Sequence, residues 1–218
     1  IHDVCLENID VTFAIDRAGI VGEDGPTHTG SFDISFMRCI PNIVISCPSN
    51  EHELWHLLNI CYEHKGPAAI RYPRGSGIGV QPIPNEVEGF EIGKAKKIKD
   101  GQSVCILNFG VLMDQIDQIA EKKNYTLYDM RFIKPIDQDA LEHAMQHETI
   151  ITLEDNTLLG GCGSAIGEKL HKQKFKGNLL SIGLRDEFPA HGSRNEILRQ
   201  NGLDEESIQR TIDNFLRN

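Results

Sequence analysis

The sequence has no run of about 18 apolar residues, so no part of it reads as a membrane-spanning helix. Its opening residues do not read as a secretory signal peptide. Basic residues are scarce beside acidic ones: 22 Lys and Arg face 32 Asp and Glu, a net charge of −10. That sign argues against nucleic acid and anionic membrane as partners. Any phosphate site must then be built from a few local cations. None of the six cysteines (Cys5, Cys39, Cys47, Cys61, Cys105 and Cys162) stands in C-x-x-C spacing, and most sit inside apolar runs. This argues against disulfides or a metal cluster and for buried, reduced thiols in a reducing compartment, the cytoplasm. Internal repeats and low-complexity tracts are absent too, which leaves an ordinary globular composition.

Within that composition, several short apolar runs lack polar alternation: 11–15, 43–46, 104–109, 149–153 and 179–182. Such runs suit strands covered on both faces, as in a parallel sheet. Helical patterns lie between them at 51–64, 112–120 and 136–145, with a last apolar stripe on Ile208, Ile212, Phe215 and Leu216. Strands alternating with helices predict a doubly wound α/β architecture. Residues 75–90 are rich in Gly and Pro without a period, which predicts a linker. The roughly 74 residues before it are few for a complete α/β domain, whereas the roughly 128 after it suffice. The chain starts at Ile1 in a helical pattern with no cap residue ahead of it, so the expectation is a fragment whose first piece is the tail of a larger domain.

Two segments could carry chemistry. The loop from Asp16 to Gly30 directly follows an apolar run and holds Asp24, His28 and four glycines. A loop at the carboxyl end of a parallel strand is where open α/β sheets place ligands. A solvated surface loop is the alternative on composition alone. Ala69-Ile70-Arg71-Tyr72-Pro73-Arg74-Gly75 ends a second run with two arginines, whose planar forks suit phosphate or carboxylate. Surface arginines at a strand end are the plain alternative.

Two further patterns carry less. His52-Glu53-Leu54-Trp55-His56 matches the H-E-x-x-H zinc signature. However, a buried stripe on Leu54, Leu57, Leu58 and Cys61 would put both histidines on the polar face, and Asn59 and Tyr62 break the longer zinc pattern. The glycines at 160, 161, 163 and 167 miss the spacing of a dinucleotide loop and read as close helix packing.

The stretch F-A-I-D-R-A-G-I-V-G-E-D-G-P-T-H-T-G-S-F-D, with C-I-P-N-I-V-I-S-C-P-S and R-Y-P-R-G, resembles the 1-deoxy-D-xylulose-5-phosphate synthase family of transketolase-type, thiamine-diphosphate-dependent enzymes. The resemblance continues through I-L-N-F-G, D-M-R-F-I-K-P-I-D and the later L-E-D-N and G-G-C-G-S-A-I-G-E segments, essentially the whole chain. It implies an α/β fold in which 1–74 end a pyrimidine-binding domain, 75–90 link, and 91–218 form a complete C-terminal transketolase-type domain with a mainly parallel sheet.

In that family, pyruvate condenses with D-glyceraldehyde 3-phosphate, with loss of carbon dioxide, to give a precursor of isoprenoids, thiamine and pyridoxal. Carried over by motif, His28 becomes the active-site histidine beside the substrate carbonyl, where a group titrating near neutrality can exchange a proton with the developing alkoxide. Asp24 becomes the nearby orienting carboxylate, and Arg17 and Arg74 the grip on the acceptor's phosphate. Arg71 is left out of the site.

The family's cofactors are thiamine diphosphate and Mg2+. Its G-D-G segment followed by an asparagine is not in this sequence, and its activating glutamate and stacking aromatic lie upstream of Ile1. The expectation is therefore that the chain alone binds no cofactor and does not turn over, its partners being the missing N-terminal part and a second copy in a homodimer. A transketolase, a pyruvate-dehydrogenase β-type subunit, or a non-catalytic dimerisation module after residue 90 are the alternatives. The pair Arg17 and Arg74 favours a phosphorylated aldehyde.

Overall fold

A computed structural model of the chain describes residues 1–84 and 89–217. The expected linker at 75–90 therefore includes 85–88, which lie outside the described residues. In the first half, α1 (His2–Leu6) leads to β1 (Thr12–Ile15), α2 (Asp33–Arg38), β2 (Val44–Ser46), α3 (Glu51–Glu63) and β3 (Ala68–Arg71). In the second half come β4 (Lys96–Lys99), β5 (Val104–Phe109), α4 (Met113–Lys123), β6 (Thr126–Asp129), β7 (Phe132–Lys134), α5 (Gln138–Ala144), β8 (Thr149–Thr157), α6 (Cys162–Lys172), β9 (Asn178–Leu184), α7 (Arg194–Gln200) and α8 (Glu205–Arg217).

Two sheets result. The first has the order β1-β3-β2-β7 and the second β4-β6-β5-β8-β9. Every pairing is parallel except β7 on β2 and β4 on β6. The mainly parallel α/β class read from the sequence is the observed one. β5 and β8 are buried along their whole length, which is why their residues do not alternate. β4 is the opposite case, an edge strand whose Lys96 and Lys97 are exposed and discourage further pairing. Local signals fix several helix starts. The Asn50 side chain accepts from the Glu53 amide, Asp137 caps α5, and Ser193 with Glu196 forms a capping box on α7.

The halves are interlocked. β7 follows β6 after two residues yet joins the other sheet, pairing Ile45 with Lys134 and Ser46 with Phe132. The switch occurs at Arg131, which sits in left-handed backbone at φ 55°. That conformation is held from the side, because the buried Arg131 guanidinium grips the Glu53 carboxylate of α3 with two bonds of 2.7 and 2.8 Å. One apolar cluster runs through both sheets, joining Ile34, Ile45 and Ala69 to Leu107, Met130 and Ile150. A second lies under α4, α7 and α8, and a third under α3.

The burial expected for α3 is corrected. Leu57 and Cys61 are buried, but Leu58 is exposed, and His52 and His56, expected on the polar face, are buried at 7% and 4% exposure. The cause is a covering that helix periodicity cannot show. Phe90 stacks on His56, with centroids 4.3 Å apart, and the chain near Ile83 lies against both rings. Five of the six cysteines are buried and all are free thiols, with Cys39 exposed.

Candidate functional site

The polar loop leaves β1 at the carboxyl end of the first sheet. Its path continues the strand ladder, with Tyr72 N–H donating to Ile15 O and Ala18 N–H to Tyr72 O, both at 3.0 Å. It then doubles back so that Gly30 N–H donates to Gly19 O at 3.1 Å. Gly19 is obligatory on two counts. Its φ is +67°, and a Cβ there would lie 2.1 Å from Asp155 Oδ2. The loop is thus pressed onto the C-terminal end of β8. A short 3-10 turn, Gly22–Asp24, packs next to the start of α7.

Three of the four expected site residues meet. Arg17 Nε donates to Asp24 Oδ2 at 2.9 Å, and Arg74 Nε approaches the same oxygen at 3.3 Å. Asp16 also pairs with Arg17. Arg17 has left-handed backbone, φ 59°, a strained state for a residue with a side chain and a common mark of functional loops. The hydrogen bond from Arg17 holds the Asp24 carboxyl below the usual carboxylate range, against an opposing contribution from burial; the charges of Arg74, Arg17 and His28 act in the same direction as the bond. The bond to Asp24 likewise raises the Arg17 pKa. Among the described residues, His28 shares no hydrogen bond or ion pair with the other three. It is exposed, its Nδ1 2.9 Å from Thr27 Oγ1, and it reaches Asp24 only through its field.

Arg71, three residues before Arg74, faces the opposite way. It is 3% exposed, with Nε bonding both Asp33 oxygens at 3.0 and 3.2 Å and Nη1 bonding Asp155 at 2.7 Å. Burial works against the Arg71 charge, but the two carboxylates outweigh it and its pKa lies above the ordinary value. Burial pushes Asp33 up in spite of Arg71. This triad joins α2, β3 and β8 directly beneath Gly19.

A cavity of about 460 Å³ opens beside the loop, a volume suited to a small ligand. Its walls include Glu23, Asn50, Glu51, Arg74, Asp114 and Arg194. Of the four expected residues it takes in only Arg74. Sequence reasoning missed these walls, although the glycines directly after Arg74 were a usable signal, since Gly75–Ile78 form one side. Elsewhere, Gly161 and Gly163 leave no room for a Cβ beside Glu154 and Ser181, as close helix packing requires. Their helix start is met by Glu154, which accepts from the Cys162 and Gly163 amides at 2.8 and 2.7 Å. Among the described residues no three His, Cys, Asp or Glu side chains converge as a metal site, and the H-E-x-x-H histidines bond main chain instead.

Residues 93–208 match the transketolase C-terminal domain and residues 1–78 the transketolase pyrimidine-binding domain. The chain belongs to the transketolase family. Over its full 218 residues it is 48% identical to 1-deoxy-D-xylulose-5-phosphate synthase of Idiomarina loihiensis and 50% identical to the synthases of Mannheimia succiniciproducens and Hahella chejuensis. It spans about a third of the length of these relatives, 34–35%. Among solved structures, a split-gene transketolase described as an inactive β4 tetramer superposes with a TM-score of 0.82 over 97% of this chain and 68% of that one, at 24% identity. Campylobacter jejuni transketolase gives 0.70 over 96% of this chain and 32% of its own, at 20% identity. At those identities the structures establish the transketolase fold alone. Among the described residues no helix is long and apolar enough to cross a membrane.

Proposed function

We propose that the chain supplies the acceptor-binding side of a 1-deoxy-D-xylulose-5-phosphate synthase, which joins pyruvate to D-glyceraldehyde 3-phosphate with loss of carbon dioxide. The observation that carries this reading is the convergence of Arg17 and Arg74 on Asp24 at the carboxyl end of a parallel sheet. The chain's net charge of −10 gives a phosphate nothing to bind in general. Two guanidinium groups held together by one carboxylate form a local exception, and their forks can exchange Asp24 for phosphate oxygens. In this reading Asp24 keeps the two cations aimed at one place. His28, four residues on and exposed, takes up or delivers the proton at the oxygen of the acceptor aldehyde.

The donor groups fit the acceptor but not the cofactor's charged end. Magnesium bound to a diphosphate needs clustered oxygen ligands, and the described residues offer no such cluster. We therefore assign the diphosphate end of thiamine diphosphate and its Mg2+ to parts of the synthase outside this chain, and hold that the chain alone neither binds the cofactor well nor turns over. Residues 1–74 act as the end of the pyrimidine-binding domain and 91–218 as the C-terminal domain, with 75–90 as linker, in a homodimeric enzyme of a reducing cytoplasm.

The test is steady-state kinetics of the complete synthase. Arg17→Ala and Arg74→Ala are each expected to raise KM for D-glyceraldehyde 3-phosphate by at least about tenfold, the value of one charged hydrogen bond. His28→Ala is expected to lower kcat by about a hundredfold or more. Unchanged KM in both arginine variants would reject the acceptor site.

A further inference from the structure

The zinc-like histidine pair of α3 is not used by the acceptor site, yet it is buried and engaged. Each ring bonds one polar group of the same residue: Ile83 N–H donates to His52 Nδ1 at 3.3 Å, and His56 Nε2 lies 3.0 Å from Ile83 O. Because a carbonyl only accepts, His56 Nε2 is the protonated nitrogen, and because an amide only donates, His52 Nδ1 is the bare one. Two more fastenings flank this point. Glu51 accepts from Gly79 N–H at 2.7 Å, and Gly77 lies so close that a Cβ there would be 2.0 Å from Glu51 Oε1. Further on, Phe90 stacks on His56, and Arg131 Nη1 donates to Gly89 O at 2.6 Å.

The segment held in this way begins directly after Arg74, and its residues Gly75–Ile78 form a wall of the cavity that Arg74 also lines. Gly75 and Gly79 both have positive φ, 137° and 88°, and open space lies where a side chain would begin. The first part of the path is therefore backbone with little stiffness of its own, and the hydrogen bonds that fasten the segment run to α3.

We propose that His52 and His56 are positioning residues: they clasp the main chain at Ile83, fix the segment 75–84 on α3, and so hold Arg74 where the acceptor's phosphate is bound. The proposal rests on the reading of Arg74 given above. It gives the H-E-x-x-H pattern a role in which the two rings, one turn apart, bind the N–H and C=O of one residue instead of a metal.

Two measurements test it, amide exchange of the full chain by NMR and acceptor kinetics of the complete synthase. The pair His52→Ala with His56→Ala is expected to speed Ile83 amide exchange by roughly 5–30-fold and to raise KM for D-glyceraldehyde 3-phosphate by a factor of the same order, with kcat within about twofold. The pair His52→Asn with His56→Gln, which puts back an acceptor and an N–H donor, is expected to restore both. Ile83→Pro removes the donated N–H and replaces an exposed side chain between Pro82 and Pro84, with no change on α3 itself. It is expected to speed Gly79 exchange and raise the same KM. Unchanged Ile83 exchange in the alanine pair overturns the clasp. Faster exchange with unchanged KM overturns its effect on Arg74. If Arg74→Ala itself leaves KM unchanged, the acceptor site is what fails; if Arg74→Ala raises KM while the histidine pair and Ile83→Pro do not, only the clasp fails.

Discussion

Arg71→Ala and Arg74→Ala remove the same group three residues apart, and the structure predicts opposite phenotypes. Arg71 is 3% exposed, and its removal leaves Asp33 and Asp155, at 4% and 1% exposure, buried without a cation. Breaking a buried pair by deleting one partner costs about 3–5 kcal/mol, most of it from the stranded charge. With a urea dependence of about 1–3 kcal/mol per molar, the unfolding midpoint should fall by at least about 1 M. Arg74, with a side chain 46% exposed and a single 3.3 Å contact to Asp24, should shift stability by under about 1 kcal/mol. The assay is urea unfolding of the chain followed by circular dichroism. A control separates lost attraction from stranded charge: Arg71→Met with Asp33→Asn and Asp155→Asn should recover much of the loss. The triad is not fully satisfied as it stands, since Arg71 Nη2 and Asp155 Oδ2 find no partner among the described residues, so a neutral replacement forfeits little. A midpoint shift for Arg71→Ala no larger than that for Arg74→Ala would refute the assignment of one arginine to the architecture and the other to the surface site.

Gly19→Ala should destabilise by about 1–3 kcal/mol in the same assay, because the φ of +67° and the Asp155 carboxylate both oppose a methyl group; a neutral effect would contradict the close packing of the loop on β8. Burial pushes the carboxyls of Asp129 and Glu154 up to about 7. A carboxyl whose folded pKa is raised gives stability that is present at acid pH and lost as pH rises through the folded value, so the urea midpoint should fall from about pH 4, the unfolded carboxyl value, to about pH 7 and level off above it. Asp129→Asn should flatten that slope, and a midpoint rising across the window would count against protonated carboxyls at these sites. A thiol reagent applied to the native chain should modify Cys39 alone among the six cysteines, with the other five reacting only after denaturation; fast labelling of two or more would contradict their burial.

Much of the fold was legible because burial on both faces of a parallel sheet leaves a direct mark in sequence. The run 104–109 is β5 residue for residue, and 43–46 and 179–182 fall within a residue or two of β2 and β9. β7 was not legible. Three residues carry no period, and their pairing with β2, nearly ninety positions earlier, depends on the turn at Arg131, which is held by contacts to Glu53, Asp129 and Cys47. The face of α3 was misread for a related reason. A helical wheel shows what a helix could bury against its sheet, but His52 and His56 are covered from the other side by Ile83 and Phe90. At the loop, residue types pointed to Asp24 and His28, and only the family resemblance added Arg17 and chose Arg74 over Arg71; Arg17, Asp24 and Arg74 lie together, while His28 forms its side-chain hydrogen bond with Thr27.

The arginine pair shows why spacing alone could not separate the two roles. Arg71 is the last residue of β3, and within a strand successive side chains alternate between faces, so its direction is set by the sheet and leads into the interior between α2 and β8. Pro73 cannot donate to a ladder, so the strand is over before Arg74, whose direction is set by what the following segment touches. That segment touches α3 through Glu51, His52 and His56. On the proposed clasp, the two arginines have different supports: Arg71 the packing of two sheets, Arg74 a strap of main chain together with Asp24. On the same clasp, loss of the Glu51 contact to Gly79 by Glu51→Ala should then disturb Arg74 and spare Arg71, raising KM for the acceptor without lowering the urea midpoint by the 1 M or so expected for loss of the buried cation.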